Sequence, residues 1–306
     1  MKSIMQYISA LWAHIPVLSI LAASVVACNP NYDMLGMFNG TSPEVAVRFA
    51  ESMAYNDSVG VRHVVVPSAD YRVYVCTDSH IDSLDNNLTT FVQAAQADTA
   101  CRVVLHLGDL INARHHIPHA VSLLQPLMQA DSRQAFFITL GNHDIYFNQW
   151  HTFASYFGSS VYWFDTHLPD GTPLDRFICL DSAEGTLGTE QMAWLKDVLA
   201  VPVIAENGNT VSYRHTIVFT HTHLFKQDAS QGHTSNYAME ETFELLSILS
   251  QGSVSMYWCG HDHSREITHY AGLVSIIVDA LEEHYPPAFY MVADFSDKIT
   301  YQFIEI

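Results

Sequence analysis

Residues 102–109 read RVVLHLGD, an apolar run typical of a buried β-strand that ends directly in a glycine and a carboxylate. Four other segments, far apart in the chain, repeat this arrangement of a strand-like run followed by oxygen or nitrogen ligands. They are Asp78-Ser79-His80, Gly141-Asn142-His143-Asp144, His221-Thr222-His223 and Gly260-His261-Asp262-His263. Strands that end in such residues bring imidazoles and carboxylates together at one edge of a sheet. The pattern therefore predicts a metal-dependent hydrolase.

The ligand types indicate which metals the site takes. Carboxylate, amide oxygen and imidazole suit divalent Mn, Zn, Fe or Ni, and no thiolate occurs among them to favour a structural zinc site. Seven candidates are too many for one ion that must also keep room for water: Asp78, His80, Asp109, Asn142, His221, His261 and His263. Two ions that share a bridging carboxylate would use them all. Such a pair can hold a bridging hydroxide and clamp the oxygens of a phosphoryl group.

The ordered blocks DxH, GD, GNH followed by an acid, H, and GHxH resemble the signature of the calcineurin-like metallophosphoesterases. The resemblance implies one ion held by Asp78, His80, Asp109 and His263, and a second held by Asp109, Asn142, His221 and His261. Asp109 is then the bridge. It further implies that His143 binds no metal but stabilises charge at the scissile phosphate and protonates the leaving oxygen, with Asp144 orienting its imidazole.

One metal ligand has a competitor. His221 and His223 are two residues apart, so both would face the same side of a continued strand. We favour His221 because it follows the apolar run directly, as the family's histidine does, and we keep His223 as a candidate substrate contact. Arg114 and His115, in the loop after Asp109, are further candidates for gripping a phosphate oxygen, although a solvated loop explains them equally well.

The predicted activity is hydrolysis of phosphate mono- or diesters. Two other functions stay open: a surface-anchored, non-catalytic binding protein that retains the fold, and a dinuclear enzyme that cuts amides or sulfate esters. The formal net charge of −19 argues against nucleic acid as the main partner and leaves small phosphate esters as the expected substrates.

The first 27 residues predict a bacterial lipoprotein signal peptide. A single basic residue, Lys2, precedes a long apolar segment, and Val25-Val26-Ala27-Cys28 resembles a lipobox, which makes Cys28 the expected lipidation site. The alternative is an uncleaved membrane anchor. We expect a lipid-anchored protein of the bacterial cell envelope, on the periplasmic face or the cell surface, with a tether and packing helix at 28–68 and the catalytic domain at 69–306.

Hydrophobic periodicity predicts an α/β domain. Strands are expected at 61–66, 72–77, 102–107, 135–140, 177–180, 215–220, 254–259, 273–278, 288–295 and 299–304. Helices are expected from Ser42 onward and at 86–97, 118–130, 189–199 and 239–250. The family resemblance implies how they stack, as a four-layer αββα sandwich of two packed mixed sheets flanked by helices. Cys76, Cys101, Cys179 and Cys259 are expected to be free thiols.

Overall fold

A computed structural model of the protein describes residues 42–82, 86–204, 210–228, 232–234, 236–283 and 287–306. The predicted signal peptide, the lipidation site Cys28 and most of the predicted tether lie outside these residues. Among the described residues, none of the helices has both the length and the apolar character needed to cross a membrane.

The described chain alternates strands and helices. The strands are β1 (Arg62–Val65), β2 (Tyr71–Cys76), β3 (Cys101–His106), β4 (Ala135–Ile138), β5 (Tyr162–His167), β6 (Pro173–Cys179), β7 (Val203–Ile204), β8 (Thr210–Val211), β9 (His215–Phe219), β10 (Lys226–Asp228), β11 (Gly232–Thr234), β12 (Met256–Cys259), β13 (Glu266–Tyr270), β14 (Leu273–Ile277), β15 (Phe289–Phe295) and β16 (Ile299–Glu305). The helices are α1 (Val45–Val59), α2 (Asn86–Ala97), α3 (Ile117–Met128), α4 (Trp150–Phe157), α5 (Gly188–Ala200) and α6 (Met239–Gln251).

Two mixed sheets form the centre of the fold. One has seven strands in the order β1-β5-β6-β9-β12-β14-β13, and the other has five in the order β16-β15-β2-β3-β4. Two short ribbons, β7-β8 and β10-β11, lie apart from them. Within the sheets β2, β3 and β4 run parallel, as do β6, β9, β12 and β14, so several carboxyl ends meet at one edge of each sheet.

Side-chain alternation along β2 shows how the layers form. Val73 and Val75 face the apolar core between the two sheets, together with Phe177 and Trp258 from the other sheet. Tyr74 and its alternating neighbours face a second core, which α2, α3 and α4 cover. A third core lies between the seven-stranded sheet and the helices α5 and α6. The predicted four-layer αββα sandwich is confirmed.

Every predicted strand and helix is present, with ends shifted by a few residues. The helix expected from Ser42 begins at Val45, and the Ser42 hydroxyl donates to the carbonyl of Ile145 rather than capping the helix. Sequence periodicity missed β5, β13, α4 and the two short ribbons. The predicted free thiols Cys76, Cys101, Cys179 and Cys259 are unpaired and buried, as expected.

The N-terminal elements are built into the sandwich. Strand β1 pairs in parallel with β5 at the edge of the seven-stranded sheet. Helix α1 places the fully buried guanidinium of Arg48 against the carboxylate of Asp181, with N–O distances of 2.8 and 2.9 Å. A buried ion pair of this kind ties the helix to the turn after β6.

Candidate metal centre

The five sequence blocks converge where strands of both sheets end. Asp78 follows β2, Asp109 follows β3, Asn142 follows β4, His221 follows β9 and His261 follows β12. Carboxyl ends of parallel strands are where α/β folds place their ligands. The candidate ligand atoms form two groups that share one carboxylate.

The first group contains Asp78, His80 and His263. The Nε2 atoms of the two histidines lie 3.1 Å apart, and Asp78 Oδ1 lies 3.4 Å from His263 Nε2 and 3.8 Å from His80 Nε2. The other oxygen, Oδ2, accepts the Thr77 hydroxyl at 2.6 Å and the His261 amide at 2.9 Å. Asp78 Oδ1 is buried and has no hydrogen-bond partner among the described residues. It is therefore an orphaned oxygen that faces two imidazole nitrogens.

The second group surrounds His221. Its Nε2 lies 3.0 Å from Asn142 Oδ1, 3.2 Å from His261 Nδ1 and 3.3 Å from Asp109 Oδ2. Its Nδ1 lies 2.8 Å from the carbonyl of Leu107. A carbonyl only accepts, so Nδ1 carries a proton and Nε2 is the nitrogen that faces the other ligands.

Asp109 connects the two groups. Its Oδ2 lies 3.8 Å from His80 Nε2 and 3.3 Å from His221 Nε2, while its Oδ1 accepts the His143 amide at 2.8 Å. One oxygen is thus held by the backbone and the other is directed between the two groups. This is the arrangement expected of a bridging carboxylate.

The residues fit divalent metal ions. Ligands bound to one ion at about 2.0–2.1 Å in tetrahedral or octahedral geometry lie about 3.0–3.4 Å from each other, which matches most of the spacings in both groups. Imidazole lone pairs and carboxylate oxygens at this separation repel each other unless a cation or a proton lies between them.

The pKa shifts of the site residues also indicate that the site attracts positive charge. Burial disfavours the charged form of His221, but attraction to Asp109 and Asp78 outweighs it and raises its pKa to about 10. Burial likewise opposes ionisation of Asp109, yet His221 lowers the pKa of that carboxyl. Burial lowers the pKa of His80 to about 4. Neutral imidazole and ionised carboxylate are the forms that bind metal.

The backbone at the site is strained. Asp78, His80, Asp109, His261 and His263 all have φ between 44° and 73°, a region that non-glycine residues rarely adopt. Glycines allow the loops to approach one another closely. A Cβ on Gly141 would overlap with the backbone and carboxylate of Asp109, and one on Gly260 would overlap with Thr77 and Asp78.

Comparison with known proteins supports the same reading. The family model of calcineurin-like phosphoesterases matches residues 71–265. The chain belongs to the calcineurin-like phosphoesterase family. Its class of chemistry is metal-dependent hydrolysis of phosphoesters. No curated protein matches the chain at a significant level.

Solved structures share the fold at low sequence identity. The purple acid phosphatase PPD1 from seeds of yellow lupin (Lupinus luteus) is 16% identical with a TM-score of 0.58, covering 79% of this chain and 53% of its own, so the chain spans about half of that enzyme. GAP50, the anchor in the inner membrane complex of Plasmodium, is 15% identical with a TM-score of 0.57, covering 78% and 85%. PhoD is 9% identical with a TM-score of 0.50, covering 76% and 65%.

The histidine of the GNH block lies beside the candidate metal ligands. The ring of His143 contacts that of His80 edge-on, with centroids 4.6 Å apart, and is half-buried. The exposed ring of Tyr146 lies 4.8 Å from it on another side. His143 is thus placed where a substrate could reach it.

The hydrogen bonds of Asp144 go to backbone amides and not to the imidazole of His143. Its buried carboxylate accepts the backbone amides of Asp109, Leu110 and Gly141 at 2.9, 3.0 and 2.9 Å. These bonds support the loop that carries the shared carboxylate, whereas we had expected Asp144 to orient the imidazole of His143. Burial and the charge of Asp109 raise the pKa of Asp144 to about 7.

The candidate substrate contacts occupy different places. His223 is buried, and its ring stacks on that of His261 with centroids 6.1 Å apart, so His221 rather than His223 lies among the ligands. Arg114 and His115 are exposed in a 3₁₀ turn spanning Arg114–His116.

Sequence reasoning missed three supporting residues. Asn112 Oδ1 lies 3.1 Å from His80 Nδ1, and its amide donates to the His80 carbonyl at 3.0 Å. The buried Glu282 lies 3.6 Å from His263 Nδ1. Asn142 donates to the hydroxyl of Tyr146 at 2.7 Å, which turns its carbonyl oxygen toward His221. For Asn112, the only feature of the sequence that could have indicated this role was its position three residues after Asp109. No feature of the sequence indicated Glu282.

Proposed function

We propose that the protein hydrolyses phosphate mono- or diesters of small molecules at a dinuclear centre of Mn, Fe, Zn or Ni ions. The observation that carries this proposal is the position of Asp109 Oδ2, which faces His80 and His221, one from each ligand group. Asp78, His80, Asp109 and His263 would hold one ion, and Asp109, Asn142, His221 and His261 the other.

When bound, two such ions would supply an activated hydroxide as nucleophile and positive charge against the phosphoryl oxygens. The side chain of His143 would supply the remaining catalytic functions. The backbone amide of His143 donates a hydrogen bond to Asp109 Oδ1. The position of this histidine therefore depends on the position of the shared carboxylate. From there the imidazole stabilises charge on the phosphoryl group and donates a proton to the leaving oxygen.

Three features around the site would select the substrate. The exposed turn with Arg114 and His115 begins two residues after Asn112, which contacts His80. The guanidinium of Arg114 can grip a phosphate oxygen through two N–H groups. The exposed Tyr146 ring beside His143 offers an apolar face to an organic leaving group, and the buried His223 would act through His261.

We also propose that the enzyme works at the bacterial cell envelope as a lipoprotein anchored through Cys28. The support is the sequence of the first 28 residues. Export would favour nucleotides, lipid headgroups or sugar phosphates as substrates, and the net charge of −19 disfavours nucleic acid. If inhibition of lipoprotein processing with globomycin changes neither the mass nor the membrane association of the protein, the lipidation proposal is wrong.

The alternative is a non-catalytic, surface-anchored binding protein. GAP50 of Plasmodium, which shares the fold, is described as an anchor. In this chain, however, all seven candidate ligands and His143 are present, and Asp109 Oδ2 lies near a histidine of each ligand group, which favours catalysis.

One experiment tests the main proposal. Purified protein is loaded separately with each metal, its bound metal is counted by elemental analysis, and turnover is measured on a panel of aryl monoesters, diesters, sulfates and amides. We expect two equivalents of metal and turnover of phosphoesters only. In Asp109→Asn, both ions should bind poorly and turnover should disappear. Two equivalents bound to Asp109→Asn would refute the bridge, and no phosphoester turnover with any metal would support the binding protein.

A further inference from the structure

A second cluster of metal-ligating side chains lies far from the centre described above. It contains His63 on β1 and Asp165 and His167 on β5. His63 is the pairing partner of Asp165 across the two parallel strands, and His167 follows two residues later on β5. Because β5 runs antiparallel to β6, His167 pairs with Pro173 at the start of β6. The cluster therefore lies at the opposite edge of the seven-stranded sheet from His221.

The three side chains converge on one carboxylate. His63 Nδ1 lies 2.6 Å from Asp165 Oδ1, and His167 Nε2 lies 2.9 Å from Asp165 Oδ2. The two imidazole rings meet edge-on with centroids 5.0 Å apart. All three candidate ligand atoms lie within 4.8 Å of one another.

The hydrogen bonding of His167 shows which of its nitrogens is available. Nδ1 lies 3.1 Å from the carbonyl of Gly171, so in the neutral imidazole Nδ1 carries the proton and Nε2 carries the lone pair. Nε2 is buried and has no hydrogen-bond partner among the described residues. A lone pair held 2.9 Å from a carboxylate oxygen is repelled unless a cation lies between them or the ring takes a second proton.

The surroundings orient the carboxylate of Asp165, and Arg176 attracts it without forming an ion pair. The Tyr213 hydroxyl donates to Asp165 Oδ2 at 2.6 Å, which fixes the orientation of the carboxylate. Arg176 is the pairing partner of Asp165 on β6, but its guanidinium donates to the Val198 carbonyl at 2.8 Å and lies over the Tyr213 ring at 4.9 Å. Among the described residues Arg176 makes no ion pair with Asp165.

We propose that His63, Asp165 and His167 form a mononuclear zinc site, separate from the phosphoesterase centre. Two imidazoles and a carboxylate are ligands that zinc takes in open sites, where water fills the fourth position. A cavity of about 200 Å³ adjoins the cluster and has room for that water. The bonds of Tyr213 to Asp165 and of His167 to Gly171 supply the outer support that such ligands need.

Zinc binding requires one small movement. Ligands on a common zinc ion are about 3.0–3.4 Å apart, so His63 Nδ1 must retreat from Asp165 Oδ1, which lies at 2.6 Å. The His63 side chain is 55% exposed and can make this shift by rotating into solvent, while the carboxylate stays buried.

The test measures how many equivalents of zinc the full-length protein binds. Wild-type protein and the variant His63→Ala/His167→Gln are saturated with zinc, freed of unbound metal by gel filtration and analysed for metal. We expect the double variant to hold one equivalent less, whatever the phosphoesterase centre holds, and to keep its phosphoester turnover. The control His151→Gln/His269→Gln, which changes two exposed histidines elsewhere, should hold as much zinc as the wild type.

A second measurement does not depend on the variant's folding. Crystals of zinc-loaded wild-type protein should show an anomalous peak at the zinc edge between His63, Asp165 and His167. Equal zinc in the wild type and the double variant, or a map with no peak at this position, would overturn the proposal.

Discussion

The carboxylate of Asp144 accepts the backbone amide of Asp109 at 2.9 Å, so one acid lies behind the other and holds it toward the metal ligands. The same carboxylate also binds the amides of Leu110 and Gly141. The three amide donors use both oxygens of this carboxylate, whereas the side-chain amide of asparagine has only one acceptor oxygen.

Asp144→Asn should therefore weaken metal binding rather than turnover alone. An amide NH₂ would face backbone N–H groups, the loop would shift, and metal affinity should fall by about 10–100-fold. Competition with a chromophoric chelator measures this affinity. Asp297→Asn, in an exposed turn, is the control and should bind metal normally. Unchanged affinity combined with low turnover would instead support the role of Asp144 in orienting His143.

His143→Ala should leave metal content unchanged and lower kcat by about 10²–10⁴-fold, because it removes a proton donor and not a ligand. The loss should be larger for alkyl phosphates than for 4-nitrophenyl phosphate, whose leaving group needs no proton. The exposed His151, changed to Ala, is the matched control. Equal losses on both substrates would contradict the role of His143 as a general acid.

Asn112→Ala removes the oxygen that lies 3.1 Å from His80 Nδ1. Without this partner the imidazole can change tautomer and turn, so affinity for one ion should fall by about 10–100-fold. Calorimetric metal titration should show one weakened and one unchanged site. Asn112→Asp keeps an acceptor oxygen and should retain most of the affinity; if both variants bind like the wild type, Asn112 does not support His80.

Arg48→Met should destabilise the fold, because it leaves the carboxylate of Asp181 buried without its charged partner. We expect a loss of about 3–5 kcal/mol in the free energy of unfolding, measured by urea denaturation. Lys196→Met breaks the exposed pair with Glu244 and should cost less than about 1 kcal/mol. Arg48→Met/Asp181→Leu should recover part of the loss, and equal effects of the two single variants would contradict a buried pair.

Metal affinity should rise with pH between 6 and 8. The carboxylates raise the pKa of His221 to about 10, so this imidazole holds a proton at neutral pH that a metal ion must displace. Contact with Asp78 also raises the pKa of His263. Each displaced proton makes affinity rise about tenfold per pH unit below that pKa. Chelator competition at three pH values checks this, and a flat profile would show that the imidazoles bind metal without releasing protons.

Much of the site could be predicted from the sequence because its ligands directly follow apolar strands. The blocks around Asp78, Asp109, Asn142, His221 and His261 each follow a run that is buried in a sheet, so their order along the chain already implied one shared edge. The apolar runs likewise predicted ten strands, and the family resemblance predicted how they stack into two sheets. Strand β5 escaped prediction because its sequence, YWFDTH, mixes aromatic, charged and polar residues without a clear period.

The sequence alone determined the candidate ligands and most of the strands, because ligand blocks and strand periodicity are local properties, whereas the sandwich was predicted from the family resemblance. Tertiary structure decided which oxygen of Asp109 faces both groups, that Asp144 supports a loop, and that Asn112 and Glu282 lie behind the histidines. It also brought His63 to Asp165 from more than a hundred residues away. Such contacts depend on strand pairing and side-chain rotamers between distant segments, which no local pattern encodes.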